Sequence, residues 1–299
     1  MICKLIIGTA NFGLRYGIAN DKKLTHDEAF AILDYACAQG IQWIDTASAY
    51  GDAEQVVGDF FATRGKTLKV IGKLPAKDYL NAQAVEDEIY GSLKNMNIAS
   101  FDALLIHSFD TYTLYGNKII PVLKSLCRDG IIENYGISVY HPEEVAEIAL
   151  KTRDKLVIEF PLNLFDQRFL KGDLMQDIKN RGWRFFARSV FLQGLFFLSD
   201  DALQGRFEQV KGKVREIREL SSAYGIRPEC LALLFAASQP WVDGVVAGVD
   251  SVKQLIGNHE CFRAEHTGSY AAMESSLSGL AVNDEEIILP YKWHRTGHA

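Results

Sequence analysis

Cysteine, proline and excess basic charge are all scarce in this sequence of 299 residues. The five cysteines (Cys3, Cys37, Cys127, Cys230 and Cys261) are odd in number, far apart and without a CxxC pair. That excludes a disulfide scaffold, and reduced thiols in a cytoplasmic protein are expected. Seven prolines, with no proline-rich or low-complexity stretch, leave no visible linker. Lysine and arginine number 32 against 38 aspartates and glutamates, a formal charge of −6. A nucleic-acid partner normally needs a basic surface, so none is expected. The apolar start, Met1 to Ile7, runs into Gly8 and Thr9 too soon for a signal peptide or a membrane span, and no membrane association is expected. GxSxG, P-loop and HExxH motifs are missing too. His294 and His298 stand close together in the terminal tail with Gly297 between them, and no metal site is expected.

What the chain does have is alternation. Short apolar, β-branched runs recur at Lys4–Gly8, Gln42–Thr46, Lys69–Leu74, Phe101–His107, Tyr135–Val139, Leu156–Phe160, Arg184–Ser189 and Val242–Gly248. Continuous apolar runs such as Ala103-Leu104-Leu105-Ile106 suit strands buried on both faces. Helical patterns lie between them. Thr25 and Glu28 form a capping box ahead of Ala29–Gln39, and Gly40 supplies a stop. Pro142 and Pro228 open His141–Lys151 and Arg227–Gln239, where a missing N–H costs nothing. Val85, Ile89, Leu93 and Met96 fall on one helical stripe. Strand and helix alternating in this way predict an α/β fold, a single-domain (β/α)8 TIM barrel over residues 1–299 with 264–299 as a C-terminal tail. A doubly wound open sheet is the runner-up, weakened because no GxGxxG follows the first strand.

Chemistry in such a barrel sits at the C-terminal ends of the strands. Asp45, Tyr50, Lys73 and His107 fall on or just beyond three successive ends. Singly, each has a plain explanation as a cap, a solvated charge or a core histidine. Together they make a proton-transfer device. A tyrosine is a poor acid at neutral pH unless a cation lowers its pKa from about 10. Lys73 offers that cation, Asp45 neutralises the ammonium, and His107 can orient a carbonyl oxygen toward Tyr50. Elsewhere, Lys179, Arg181 and Arg184 read as a solvated basic helix end. The pairs Phe185-Phe186 and Phe196-Phe197 read as core and pocket wall.

The segment Trp43-Ile44-Asp45-Thr46-Ala47-Ser48-Ala49-Tyr50-Gly51, followed by Glu54, resembles the signature of the aldo-keto reductases. Ile71-Gly72-Lys73, Leu104-Leu105-Ile106-His107, Gly136-Ile137-Ser138 and Val246-Ala247-Gly248 are similar to further motifs of that family, and so is the near-terminal Pro290 with Trp293. The opening Gly8–Gly13 and Tyr16–Asn20 resemble a bacterial branch found among polysaccharide- and sugar-related proteins. The resemblance implies an NAD(P)H-dependent oxidoreductase acting on a small carbonyl substrate, with Tyr50 as general acid tuned by Lys73 and Asp45, and His107 aligning the carbonyl. It implies NADP(H) or NAD(H) held by Ser138, Glu159, Arg188, Ser189, Gly248, Ser251, Gln254 and Asn258. The alternative is an accessory or sensing protein that binds the cofactor with little turnover. Val139, Glu159 and Arg188 depart from the family's usual Asn, Gln and aromatic residue, which alters carboxamide recognition and ring stacking. Gly248 and Gln254 stand where NADPH-selective relatives often have cations. The family's N-terminal hairpin is expected to be missing, since few residues precede the first strand.

Overall fold

The apolar runs pair in chain order. A computed structural model describes residues 4–263, 273 and 275–293. Its strands are β1 (Lys4–Gly8), β2 (Trp43–Asp45), β3 (Lys69–Leu74), β4 (Ala103–Ile106), β5 (Tyr135–Ser138), β6 (Val157–Pro161), β7 (Arg184–Arg188) and β8 (Gly244–Gly248). Each is parallel to the next, and β8 returns to β1 through Lys4↔Gly244 to Gly8↔Gly248. The sheet is therefore a closed eight-stranded barrel with helices between its strands, and the open sheet is excluded.

Local signals set the helix starts. Thr25 and Glu28 make both bonds of the capping box, so the helix begins directly behind Thr25, at His26, three residues before the expected start. Pro142 and Pro228 occupy first-turn positions of 142–151 and 228–237. Val85, Ile89, Leu93 and Met96 are buried, as their stripe predicts. β4 is shorter than its apolar run. Phe101 makes only an isolated bridge to Ile132, while Ser108 caps the helix Phe109–Arg128 and draws His107 out of the strand.

Two expectations are corrected. Lys179 is not part of a solvated cluster: it binds Asp243, whose carboxylate also accepts from the Phe185 N–H at 2.8 Å. Cys230 and Cys261 are not separate thiols but a disulfide, joining the helices Pro228–Ala237 and Val252–Arg263. Helix packing brings together two cysteines that are 31 positions apart in sequence. Cys37 and Cys127 are free, whereas Cys3, His294 and His298 lie outside the described residues. Phe185, Phe186 and Phe196 are buried. Among the described residues no helix is long and apolar enough to cross a membrane.

Successive strand residues face opposite sides of a sheet, so one in two points into the barrel. Ile6, Trp43, Ile71, Leu105, Val157, Phe186 and Val246 belong to an apolar cluster that is separate from the main core under the helices. Two residues further along the same chains come Gly8, Asp45, Lys73, His107, Glu159, Arg188 and Gly248. The apolar layer is the floor on which the polar layer stands.

A close backbone contact fixes the loop after β2 against the short helix after β1. A Cβ on Gly13 would lie 1.7 Å from the Tyr50 carbonyl oxygen and 2.4 Å from the Ala53 nitrogen. Gly51, at φ +61°, would place its own Cβ 2.4 Å from the Gly13 oxygen. Gly13→Ala should force these segments apart and cost about 1–3 kcal/mol. A urea melt would register this as a lower midpoint, and an unchanged midpoint would contradict the contact.

Candidate active site

Lys73 is the centre of the polar layer. Its side chain is 1% exposed, and Nζ donates to both Asp45 oxygens at 2.5 Å. The same ammonium lies 3.4 Å from Glu159 Oε2 and 3.5 Å from the Tyr50 hydroxyl. The ring of Tyr50 meets His107 edge-on at 6.0 Å between centroids. The structure thus brings Asp45, Tyr50, Lys73 and His107 into one cluster, from the ends of β2, β3 and β4 and the loop after β2.

Burial alone would pull Lys73 down, but the Asp45 and Glu159 carboxylates overcome it and hold the ammonium above the usual lysine range. Burial and then the adjacent Glu159 charge push Asp45 up, against the pull of Lys73. Glu159 feels the same burial, yet Lys73 and Arg188 keep it below the ordinary glutamate value. Burial, followed by the Lys73 charge, takes His107 down to about 4, so its imidazole is neutral at pH 7. Tyr50 differs from the simple expectation of an acidified phenol. Burial raises it first; Lys73 opposes that, and the two carboxylates add to it. The net direction is upward because burial, helped by the carboxylates, outweighs the Lys73 charge.

The remaining expected residues divide into two groups. Ser138 donates to Glu159 Oε1 at 3.5 Å, and Arg188 Nε lies 3.4 Å from the same oxygen. Arg188 also donates to the Val139 carbonyl at 3.1 Å and to Ser189 Oγ at 3.3 Å, with its guanidinium 4.3 Å over the Tyr140 ring. At the other end, Ser251 Oγ accepts from the Gln254 N–H at 3.2 Å. Gln254 Oε1 accepts from the Asp250 N–H at 2.8 Å. Asn258 is fully buried, and both its amide nitrogen and its oxygen are without partners. An unpaired buried polar group costs about 1–3 kcal/mol.

A cavity of about 730 Å³ runs from Asp45, Tyr50 and His107 past Arg188 to Gly248 and Gln254. That volume is ample for a cofactor and a small substrate. The loop after β1 bridges its side: the Ile18 N–H donates to the Gln193 carbonyl at 2.9 Å, and Asn20 binds Asp250. The cavity is also lined by Tyr16, Tyr140, Gln193 and Tyr291, which sequence reasoning did not assign to the site. Tyr140 was within reach, two positions past Ser138 in the inward alternation. Tyr16, Gln193 and Tyr291 come from loops and a terminal segment whose course no periodicity reveals.

The family model described as "Aldo/keto reductase family" matches residues 4–273. The oxidoreductase YqkF of Bacillus subtilis is 24% identical over 90% of this chain and 91% of its own length. The D-threo-aldose 1-dehydrogenase of a Pseudomonas species is 22% identical over 95% of this chain and 96% of its own. In three dimensions, an aldo-keto reductase from Bacillus halodurans, solved in its holo form, superposes with a TM-score of 0.77. It covers 95% of both chains at 21% identity, which establishes the shared barrel. With a family model spanning nearly the whole chain and the buried Asp45–Lys73 pair beside Tyr50, the chain belongs to the aldo/keto reductase family of nicotinamide-dependent oxidoreductases.

Proposed function

We propose that this protein reduces an aldehyde or ketone, with sugar-related carbonyls the foremost class, to an alcohol at the expense of NAD(P)H, and that Tyr50 gives the proton. The observation that carries this reading is the buried Lys73 ammonium, 3.5 Å from the Tyr50 hydroxyl and locked on Asp45. A protein that only bound the cofactor would gain nothing from so costly a buried charge. The sugar-related class draws on the name of the Pseudomonas relative, a D-threo-aldose 1-dehydrogenase.

The nicotinamide, when bound, supplies the hydride; the chain supplies position and a proton. Ser138, Glu159, Arg188 and Ser189 would hold the nicotinamide end, and Gly248, Ser251, Gln254 and Asn258 the adenosine end. The substrate carbonyl would lie between the Tyr50 hydroxyl and His107. A neutral imidazole can donate one N–H to that oxygen, and the hydroxyl gives its proton as negative charge develops there. Lys73 then stabilises the phenolate left behind. Phe197, Leu198 and Tyr291 line the cavity and would exclude water from the reacting carbon. Arg188 already spends donors on Val139 and Ser189, which favours support of the nicotinamide over capture of an anionic substrate.

General acid catalysis contributes about 10²–10⁴-fold. Tyr50→Phe should therefore lower kcat for carbonyl reduction by at least about a hundredfold while cofactor Kd stays within a few-fold. Turnover is read from NAD(P)H absorbance and affinity from protein fluorescence. A Phe variant with wild-type kcat would remove Tyr50 from the reaction.

Cofactor choice rests on charge near Ser251. Gly248 and Gln254 offer no cation, and Asp250 adds a negative charge. Arg15, Lys22 and Lys23 of the loop after β1 do border a hollow with Ser251, but Lys22 is paired with Glu28 and Lys23 with Asp52. Cations already engaged in this way would discriminate a ribose phosphate weakly. NADPH and NADH should both bind, with Kd values less than about a hundredfold apart, or under ~3 kcal/mol. A preference for NADPH of several thousandfold at moderate salt would show that these lysines release their partners and clamp the phosphate.

A further inference from the structure

Lys73 has more negative charge around it than the pairing with Asp45 requires. Glu159 is buried at the end of β6, with its side chain 1% exposed. Its Oε1 serves Ser138 and Arg188, whereas Oε2 has no hydrogen-bond partner and lies 3.4 Å from Lys73 Nζ. Recognition of a cofactor amide does not call for a full charge here; an uncharged amide side chain both donates and accepts. An ionised carboxylate out of water costs several kcal/mol unless cations compensate it, and two do.

We propose that Glu159 is a second counter-ion of Lys73 and that its negative charge, offsetting this ammonium, sets how readily the Tyr50 hydroxyl parts with its proton. The inference deepens the reading of Tyr50 as the acid and rests on it. The groups around the cluster come from every side of the barrel mouth: Tyr16 from the loop after β1, Asp45 from β2, Lys73 from β3, His107 after β4, Ser138 and Tyr140 at and after β5, and Arg188 from β7. Near neutral pH His107, Tyr16 and Tyr50 carry no charge. Two carboxyl groups, Asp45 and Glu159, face the two cations Lys73 and Arg188. Glu159→Gln keeps the shape and removes one negative charge, leaving a net cation beside Tyr50. A nearby cation favours phenolate, so Tyr50 should give up its proton at a lower pH. Glu159 is a positioning residue: its charge offsets Lys73 at Tyr50 without touching the reacting carbonyl.

The test uses the full-length protein. In alcohol oxidation Tyr50 must accept a proton, so the rate rises with pH as the phenolate forms. For Glu159→Gln, the acidic limb of the kcat profile with oxidised cofactor should move down by at least about one pH unit. Glu159→Asp, which restores the charge, should return the limb toward wild type. A folded Gln variant with an unmoved limb would overturn the proposal. A second arm needs no turnover. Lys73→Met leaves two buried carboxylates facing each other, and adding Glu159→Gln removes one. The double variant should melt higher than Lys73→Met alone; a double variant that melts at the same temperature or lower would overturn the proposal. Absence of carbonyl reduction or alcohol oxidation by the wild type would instead remove the assignment of Tyr50, while the melting comparison still decides the pairing.

Discussion

A buried ammonium is the constraint on which the barrel mouth depends. Lys73 reaches the polar layer from β3 with almost no contact with water, and an isolated charge there would be prohibitive. The ends of β2 and β6 must therefore deliver Asp45 and Glu159 to within ion-pair distance. Arg188 follows from Glu159, since a second carboxylate needs a second cation. Because Lys73 is held above its usual value, the lysine's share of the pairing is present below the ordinary lysine pKa of about 10.4, wherever its carboxylate partners are ionised, and is lost as pH rises through the folded value.

The barrel makes this arrangement possible through its period of two. The apolar cluster of Ile6, Trp43, Ile71, Leu105, Val157, Phe186 and Val246 fills the interior and keeps water from below. The next inward position on each of those chains is free to be polar. Every charge in the layer is thus supported by a packed side chain one step beneath it. The helices contribute indirectly: capping by Ser108 ends β4 at Ile106, and the Gly13–Gly51 contact holds the Tyr50 loop. The same alternation explains why chemistry gathers at one end of the barrel, where the loops can close around a cavity.

Much of this was legible in the sequence, for physical reasons. β1 and β3 match their apolar runs residue for residue, because Gly8 and the Leu74-Pro75 step end them abruptly. Asp45, Tyr50, Lys73 and His107 could be grouped because the strand ends of a parallel barrel all point one way. What distance along the chain could not show was which inward side chains face each other across the mouth. Glu159 read as a partner for a cofactor amide, while its contact with Lys73 spans from β6 to β3 and needs the closed barrel. The upward direction of Tyr50 followed first from its burial in the closed mouth, which distance along the chain does not show either. The Cys230–Cys261 bond was hidden for a related reason, since two helices must pack before the sulfurs meet. Tyr16, Gln193 and Tyr291 belong to segments without a period, and periodicity was the signal available.

The central claim is that the Lys73 side chain is a charged ammonium held by two carboxylates at the pH where the enzyme works. The ¹⁵N resonance of its Nζ, assigned by comparison with Lys73→Met and followed from pH 6 to pH 10, measures that charge state directly. The account predicts an ammonium shift that does not change across this range. A shift that titrates to that of a neutral amine within it would contradict the account.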